Sequence, residues 1–280
     1  MNTPEIRMNQ KTPRKPQNLP PVTLSEEGGV RYLHLDSIWI QGGMRIKKPQ
    51  VVEIDYVQRM LAALLWLPTE HLGGGQAVQL GLGAGALTRF TAVQLKTATT
   101  VVEINPQVIT ANTVWFHLPA SVEVVCGDAA DWLAQATPGH VRLLHVDLYD
   151  EEAAAPVLDD EHFYRACRHV LEEGGLMSVN LFGRHASFHD SISRIAAAFG
   201  SHQVWSLRPT REGNTVVVAG PGVVVPGREA LTARALVIEQ RFGNLGLPAR
   251  KWLRMVRPYP SQAQPELPSE SQPQHPFSTL

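Results

Sequence analysis

The chain has 280 residues, and its 25 Lys and Arg residues balance 26 Asp and Glu residues to a formal net charge of −1. This length allows one large domain or two small ones, and the balanced charge argues against a strongly basic nucleic-acid-binding protein and against an acidic tail protein. Hydrophobic residues make up 44% of the chain, which is enough for a sizeable core, while the longest apolar runs are strand-sized and too short for a membrane helix.

The two ends of the chain differ in composition from its middle. Eleven of the 21 prolines fall in residues 1–22 and 258–280, and the polar start carries no apolar segment of the kind that directs export. We therefore predict disordered tails at 1–24 and 258–280. We also expect a cytoplasmic location and reduced thiols at Cys126 and Cys167.

Residues 25–50 are predicted to form a small β domain. The stretch 30–47 carries β-branched and aromatic residues around a Gly-Gly pair at 42–43, which predicts a hairpin. Apolar spacing over 51–67 then predicts a helix that ends at Pro68.

Strand-like and helical segments alternate along the rest of the chain. The strand-like runs occupy 77–82, 99–104, 121–126, 141–147 and 175–181. Helical segments are predicted at about 85–96, 106–117, 129–136, 160–172 and 187–199. Two further runs, 202–208 and 214–219, are expected to close the sheet as an antiparallel pair. The pattern predicts an α/β fold over 51–222, a doubly wound, mostly parallel, seven-stranded sheet, followed by a helical extension over 223–257.

The first signal of a functional site is a glycine-rich turn after the strand at 77–82. Gly81, Gly83 and Gly85 let the backbone turn tightly and approach a ligand, and the next helix points its N-terminal amides toward that ligand. The same pattern also fits a dinucleotide-binding fold, or a tight turn without any ligand.

Two acidic residues end the next two strands. Glu103 follows Gly83 by 20 residues, where a carboxylate accepts hydrogen bonds from both ribose hydroxyls. Asp128 and Ala129 belong to a C-G-D-A loop beside the expected position of an adenine amino group. Asp128 could also cap the following helix. Three such loops at successive strand ends resemble the S-adenosylmethionine-type Rossmann fold.

The loop after the fourth strand carries Asp147 and Asp150, with Tyr149 between them. One carboxylate could take a proton from an amine nucleophile while the other holds a distant ammonium, and Tyr149 could line the pocket. Glu151 and Glu152 add negative charge that favours a cationic substrate. Helix capping or a solvated loop is the alternative interpretation.

A metal site is not expected. His185 and His189 are four residues apart on a predicted helix, a spacing that suits a metal ion. Apart from Asp190, no further ligand lies at a suitable spacing. We expect no metal, no nucleic-acid partner and no membrane partner.

The motifs G-L-G-A-G, V-V-E-I-N, C-G-D-A, H-V-D-L-Y-D and E-H-F-Y, in this order, resemble the spermidine synthase family of polyamine aminopropyltransferases. The upstream segments L-H-L-D-S-I-W-I-Q and Y-V-Q-R-M are similar to that family's N-terminal β domain and first helix. The resemblance covers roughly residues 30–220. It implies decarboxylated S-adenosylmethionine as a co-substrate, no permanently bound cofactor, a small-molecule amine as acceptor and a homodimer.

The resemblance also implies roles for residues on the cofactor side. Glu103 would bind the ribose, Asp128 would contact adenine, and Gln41, after the L-D hairpin, would lie near the cofactor. The family's glycine loop usually contains an aspartate that faces the aminopropyl ammonium, and this chain has Ala84 there.

On the acceptor side, the first acid of the family's D-x-x-D loop is the general base, which falls on Asp147. The second helps to hold the substrate amine, which falls on Asp150. We assign Tyr149 and Tyr56 to the same substrate site. The family's acidic D-E pair and Y-H-E triplet near the first helix are absent.

Two other functions stay open. Ala84 in place of an acid favours a methyltransferase that uses ordinary S-adenosylmethionine on the same fold, because a donor that keeps its carboxylate would meet no fixed negative charge there. A non-catalytic nucleoside-binding protein is the second alternative.

Overall fold

A computed structural model of the chain describes residues 6–8, 19–149, 157–182 and 186–259. The strands in these ranges are β1 (Ile6–Met8), β2 (Val22–Glu27), β3 (Val30–Leu35), β4 (Gly42–Arg45), β5 (Gln76–Leu80), β6 (Ala98–Glu103), β7 (Glu123–Cys126), β8 (Val141–Val146), β9 (Leu171–Phe182), β10 (Val204–Leu207), β11 (Asn214–Ala219) and β12 (Val256–Pro258). The α-helices are α1 (Asp55–Met60), α2 (Ala86–Arg89), α3 (Pro106–Trp115), α4 (Ala129–Leu133), α5 (Glu161–Val170), α6 (Ala186–Phe199), α7 (Arg228–Phe242) and α8 (Ala249–Trp252).

The small N-terminal sheet has three antiparallel strands in the order β2-β3-β4. Gly28 and Gly29 join β2 to β3 with φ of 58° and 77°, the backbone that a two-residue hairpin turn requires. The predicted hairpin is therefore part of a three-stranded sheet. Its Gly-Gly pair at 42–43 lies inside β4 rather than at a turn, and β2 begins at Val22, inside the predicted tail.

The large sheet has nine strands in the order β1-β7-β6-β5-β8-β9-β11-β10-β12. Strands β5 to β9 are parallel, and β11 and β10 are antiparallel additions, so the central seven strands match the predicted sheet. The edge strands β1 and β12 were not predicted. They lie in segments expected to be a disordered tail and a helical extension, and runs of three residues are too short to give a periodic signal.

The first helix begins later than predicted. Ile54 is extended, with φ −86° and ψ 131°, and the Val52 amide donates to the Leu245 carbonyl over 2.8 Å. The predicted helical start at residue 51 is therefore wrong, because a distant loop binds this backbone. After α1, the chain tightens into a 3-10 helix over Leu61–Leu65. After α2, it widens instead into a π-helix over Phe90–Gln94.

The core lies on both faces of the large sheet. The helices α1, α7 and α8 cover one face, while α4, α5 and α6 cover the other. A third apolar cluster joins the small sheet to α3 and the glycine-rich turn, with Leu33 and Met44 completely buried near Leu82 and Ala84. Within the described ranges, every helix is too short or too polar to cross a membrane.

The small sheet touches the glycine-rich turn directly. A Cβ atom added to Gly42 would lie 2.6 Å from the Ala84 nitrogen and 2.7 Å from its Cβ. These distances are well inside van der Waals contact, so β4 can rest on the turn only because residue 42 has no side chain.

Gly42→Ala is expected to lower the free energy of unfolding by about 1–3 kcal/mol, because the added methyl group overpacks this contact. Gly227→Ala is the matched control, since a Cβ there meets nothing within 4 Å and its φ is −58°. Urea denaturation of both variants measures the difference. A Gly42→Ala protein as stable as the wild type would contradict the close packing.

Candidate active site

The carboxyl ends of the parallel strands meet at one edge of the large sheet. Leu80 of β5 pairs with Val102 of β6 and with Val146 of β8, so these strands end level with one another. After β5, the chain adds β6 and then β7 on one side of β5. It then returns to add β8 and β9 on the other side of β5. This reversal of strand order creates the crevice where doubly wound folds bind ligands.

A cavity of about 890 Å³ opens at this edge, below the small sheet. Its lining contains these residues selected from the sequence: Gln41, Tyr56, Gly81, Gly83, Glu103, Asp128, Ala129, Asp147 and Tyr149. Gly85 is not part of the lining. Asp150, with Glu151 and Glu152, lies outside the described residues. The structure therefore gathers most of the sequence-selected residues around one space.

The three glycines of the turn have different neighbours. All have positive φ, at 84° for Gly81, 51° for Gly83 and 67° for Gly85. A Cβ at Gly81 would overlap the Asp147 carbonyl, whereas one at Gly85 would lie 2.6 Å from Asn112 Oδ1. Gly81 thus brings two loops of the cavity into backbone contact, and Gly85 serves the packing of the turn on α3.

Two side chains fix the shape of this turn by donating hydrogen bonds to its backbone carbonyls. Asn112 Nδ2 donates to the Gly83 carbonyl over 2.7 Å. Arg89 donates to the Ala84 carbonyl over 2.7 Å and is buried, which lowers its pKa to about 10. Arg89 is therefore still protonated at neutral pH and holds the turn by charge-assisted hydrogen bonds.

Glu103 lies at the end of β6 and is nearly buried. Its carboxylate accepts hydrogen bonds from the backbone amides of Leu82 and Asn105, each over 2.8 Å. Burial raises its pKa, and these backbone bonds act in the opposite direction. Each carboxylate oxygen has a second lone pair, so the residue keeps acceptor capacity for the predicted ribose hydroxyls.

Asp128 caps α4. Its Oδ1 accepts hydrogen bonds from the Ala130 amide at 2.8 Å and the Asp131 amide at 3.1 Å. The prediction of a helix cap is therefore confirmed. Both bonds use the same oxygen, so Oδ2 is the atom expected to meet adenine, and that contact stays a prediction.

Asp147 follows β8 directly and receives two side-chain hydrogen bonds. Asn180 Nδ2 donates to Oδ1 over 3.0 Å, and the Tyr56 hydroxyl donates to Oδ2 over 3.2 Å. Burial raises the pKa of Asp147 to about 6, while the two hydrogen bonds act to lower it. The carboxylate is therefore mostly ionised at neutral pH and has a pKa suited to accepting a proton.

Asn180 was not selected from the sequence. It is buried on β9, and its Oδ1 accepts a hydrogen bond from Asn214 Nδ2 over 3.1 Å, which orients its amide toward Asp147. The sequence signal for it is a polar residue near the end of a mostly apolar run, M-S-V-N-L.

The two tyrosines contact the same group of residues. The Tyr149 hydroxyl donates to the Asn180 carbonyl over 2.9 Å and accepts from the Phe182 amide over 2.6 Å. It therefore secures the end of β9, and Tyr149 also lines the cavity, while its contact with substrate stays a prediction. Tyr56 is predicted to bind the substrate, and its hydroxyl donates a hydrogen bond to Asp147.

The histidines form no metal site in the described residues, where no group of three His, Cys, Asp or Glu side chains is suitably placed. His185 lies outside them. His145 is buried on β8 with Nδ1 2.7 Å from Ser178 Oγ, so it belongs to the core. Both cysteines are free, with Cys167 buried and Cys126 half-buried.

Comparison with known proteins finds relatives that share most of the sequence. The chain is 33% identical over 233 residues to a polyamine aminopropyltransferase from Chromobacterium violaceum, an alignment that covers 80% of this chain and 86% of the relative. It is 31% identical over 207 residues to a protein of the same name from Neisseria meningitidis serogroup B, covering 71% and 76% respectively. No family model matches the chain.

Solved structures share the fold at lower identity. A probable spermidine synthase from Corynebacterium glutamicum superposes with a TM-score of 0.66 at 20% identity, covering 91% of this chain and 95% of that one. Human methyltransferase-like protein 13 in complex with SAH superposes with a TM-score of 0.61 at 20% identity, covering 68% and 93%.

Asn180→Leu is expected to raise the pKa of Asp147 above about 6, because it removes a donor that stabilises the carboxylate. A carboxyl-carbon NMR titration measures this. Ser178→Ala is the matched control, since Ser178 lies on the same strand and its hydroxyl contacts His145 instead. An unchanged Asp147 pKa in Asn180→Leu would show that the amide does not stabilise the charge.

Proposed function

The chain belongs to the polyamine aminopropyltransferase family, and we propose that it transfers an aminopropyl group from decarboxylated S-adenosylmethionine to a primary amine, with Asp147 as the general base. The enzyme is a transferase. One observation carries the proposed site: the Asp147 backbone contacts Gly81 of the glycine-rich turn, so the base and the expected donor loop share one cavity.

The nucleoside half of the donor would lie along the ends of β5, β6 and β7. Glu103 would accept hydrogen bonds from the ribose hydroxyls, and Asp128 Oδ2 would accept from the adenine amino group. Gly81, Gly83 and Ala129 would form the floor, and Gln41 would close the site from the small sheet. Each of these residues lines the cavity.

The reaction is a direct displacement. Asp147 takes a proton from the ammonium of the acceptor, and the free amine attacks the methylene carbon beside the sulfonium. A nitrogen–carbon bond forms as the carbon–sulfur bond breaks, and the electron pair stays on sulfur. Methylthioadenosine leaves as a neutral thioether, so the leaving group needs no acid. Orientation of the two substrates and removal of the proton supply most of the rate enhancement.

Tyr56 and Asn180 would hold the two oxygens of the base in place, and Tyr149 would form part of the acceptor wall. Asp150 is also proposed to hold the acceptor amine. A cytoplasmic location and a homodimer are further proposals, supported by the resemblance to the family.

Methyl transfer is the second candidate, favoured by Ala84 at the position of the family's acid. Residue 84 carries only a methyl side chain, which is buried against β4, so the turn supplies no carboxylate for a donor ammonium. The nucleoside product distinguishes the two reactions, since methyl transfer releases S-adenosylhomocysteine.

Asp147→Asn is expected to reduce methylthioadenosine release by about 10²-fold or more, because the amine then keeps its proton. Binding of methylthioadenosine, measured by calorimetry, should be unchanged. The general-base assignment would be wrong if turnover survived this substitution.

The same variant should have a higher Tm than the wild type at pH 8. The folded-state pKa of Asp147, about 6, exceeds the usual value of 3.8, so the folded protein binds this proton more tightly than the unfolded chain. The charged Asp147 carboxylate therefore lowers the free energy of unfolding, and this destabilisation reaches its full size above pH about 6. Asp159→Asn is the contrasting control, because Asp159 accepts hydrogen bonds from Tyr164 and Ser191 outside the cavity and its loss should lower Tm. A lower Tm in Asp147→Asn would contradict the burial of this charge.

A further inference from the structure

The segment before β2, residues 19–22, is hydrogen-bonded to residues that follow β6. Asn105 Nδ2 donates to the Pro20 carbonyl over 2.9 Å, and the Val22 amide donates to Gln107 Oε1 over 3.0 Å. Both bonds join residues that are 85 positions apart in the sequence. They hold the segment beside the start of α3.

The same segment is also attached to the small sheet. The Asp36 amide, just after β3, donates to the Pro21 carbonyl over 3.0 Å, and Val22 pairs with Leu35 as the first residue of β2. The segment therefore bridges the small sheet and the end of β6. Because hydrogen bonds fix it on both sides, little entropy is lost in ordering it when a ligand binds.

Leu19 and Pro20 form an apolar wall of the cavity. Both are half-buried and contribute to the lining, as does Ile104, which directly follows Glu103 and is 40% exposed. Glu103 itself is only 8% exposed. Because the bond from Asn105 holds Pro20 at the end of β6, the apolar wall lies near the carboxylate that is expected to bind ribose.

Asn105 connects the apolar wall to that carboxylate. Its backbone amide donates to Glu103 Oε1 over 2.8 Å, so it helps to orient the acid. Its side chain, which is buried, donates to the Pro20 carbonyl and accepts from the Gln107 amide over 2.9 Å. An amide supplies a donor on one atom and an acceptor on the other, whereas a carboxylate of the same shape keeps the acceptor and loses the donor.

We infer that the apolar wall, held in place by Asn105, keeps water from the hydrogen bonds that Glu103 forms with the ribose hydroxyls of the donor. This inference rests on the proposed binding of a nucleoside donor in the cavity. A hydrogen bond to a carboxylate is stronger where water is excluded and the local dielectric is low. A ribose without hydroxyls would leave the shielded carboxylate short of donors, with no water to replace them. Asn105 is therefore a positioning residue, and the apolar wall increases the selectivity for an intact ribose.

The experiment measures binding of adenosine and 2′,3′-dideoxyadenosine to the full chain by calorimetry. These two nucleosides differ only by the two ribose hydroxyls. The Kd of the weaker ligand is obtained by competition with methylthioadenosine. We expect the wild type to bind adenosine more tightly by about 100-fold or more, because both hydroxyls donate to a shielded carboxylate.

Two substitutions test whether the apolar wall causes this preference. Asn105→Asp keeps the acceptor for the Gln107 amide and removes the donor to the Pro20 carbonyl. Leu19→Ala shortens the wall without any change of charge. Each should lower the ratio of the two Kd values by about fivefold to tenfold, because water then reaches Glu103 and competes with the ribose hydroxyls. A general loss of structure would weaken both nucleosides alike and leave the ratio unchanged.

Gln107→Glu is the matched control for charge. It adds the same negative charge at the start of the same helix, and its carboxylate still accepts the hydrogen bond from the Val22 amide. The ratio of the two Kd values should equal that of the wild type.

The outcomes separate the role of the wall from the proposed function. A wild-type ratio in both Asn105→Asp and Leu19→Ala would overturn the role of the wall and leave the nucleoside site intact. An equal fall of the ratio in Gln107→Glu would also overturn it, because charge alone would then explain the effect of Asn105→Asp. If the wild type bound neither methylthioadenosine nor adenosine, the proposed function itself would fail, and the role of the wall with it.

Discussion

The site depends on the backbone contact between Gly81 and Asp147. The strands β5 and β8 are neighbours, and they end level, but their loops can meet only because residue 81 has no side chain and adopts a positive φ. That contact places the end of β8 directly beside the glycine-rich turn. The small sheet approaches the same turn from the other side through Gly42, again without a side chain between the two backbones. Gly81 therefore determines how closely the glycine-rich turn approaches Asp147, and Gly42 determines how closely the small sheet approaches the same turn.

The electrostatic design of the site balances two opposing effects on Asp147. Burial favours the neutral acid, and the hydrogen bonds from Asn180 and Tyr56 favour the carboxylate, with a resulting pKa of about 6. A group with this pKa is ionised at neutral pH but is still basic enough to accept a proton. The same burial makes the charged residue costly for folding above pH about 6. The proposed catalytic function and the stability of the fold therefore make opposite demands on this position.

The acidic residues that line the described part of the cavity at the sheet edge could be predicted from the sequence, because they follow strand ends. Parallel strands bring their carboxyl ends to one edge, so Glu103, Asp128 and Asp147 could be grouped from spacing alone. Asn180 could not be found in this way, since it contacts Asp147 across 33 residues through strand pairing and lies within a mostly apolar run. The edge strands β1 and β12 have only three residues each, which is too short for a recognisable pattern. The first helix begins later than its apolar spacing predicts, because the Leu245 carbonyl accepts a hydrogen bond from the Val52 amide. Local spacing in the sequence predicts the acidic residues at the strand ends. The long-range contacts can be identified only from the folded structure.

The identity of the nucleoside product shows directly whether this cavity transfers an aminopropyl group from a decarboxylated donor to an amine. The full chain would be incubated with primary amines and either decarboxylated or intact S-adenosylmethionine, and the products would be identified by mass spectrometry. We expect methylthioadenosine from the decarboxylated donor, in an amount equal to the aminopropylated amine. Formation of S-adenosylhomocysteine from the intact donor, with no methylthioadenosine from the decarboxylated one, would contradict it.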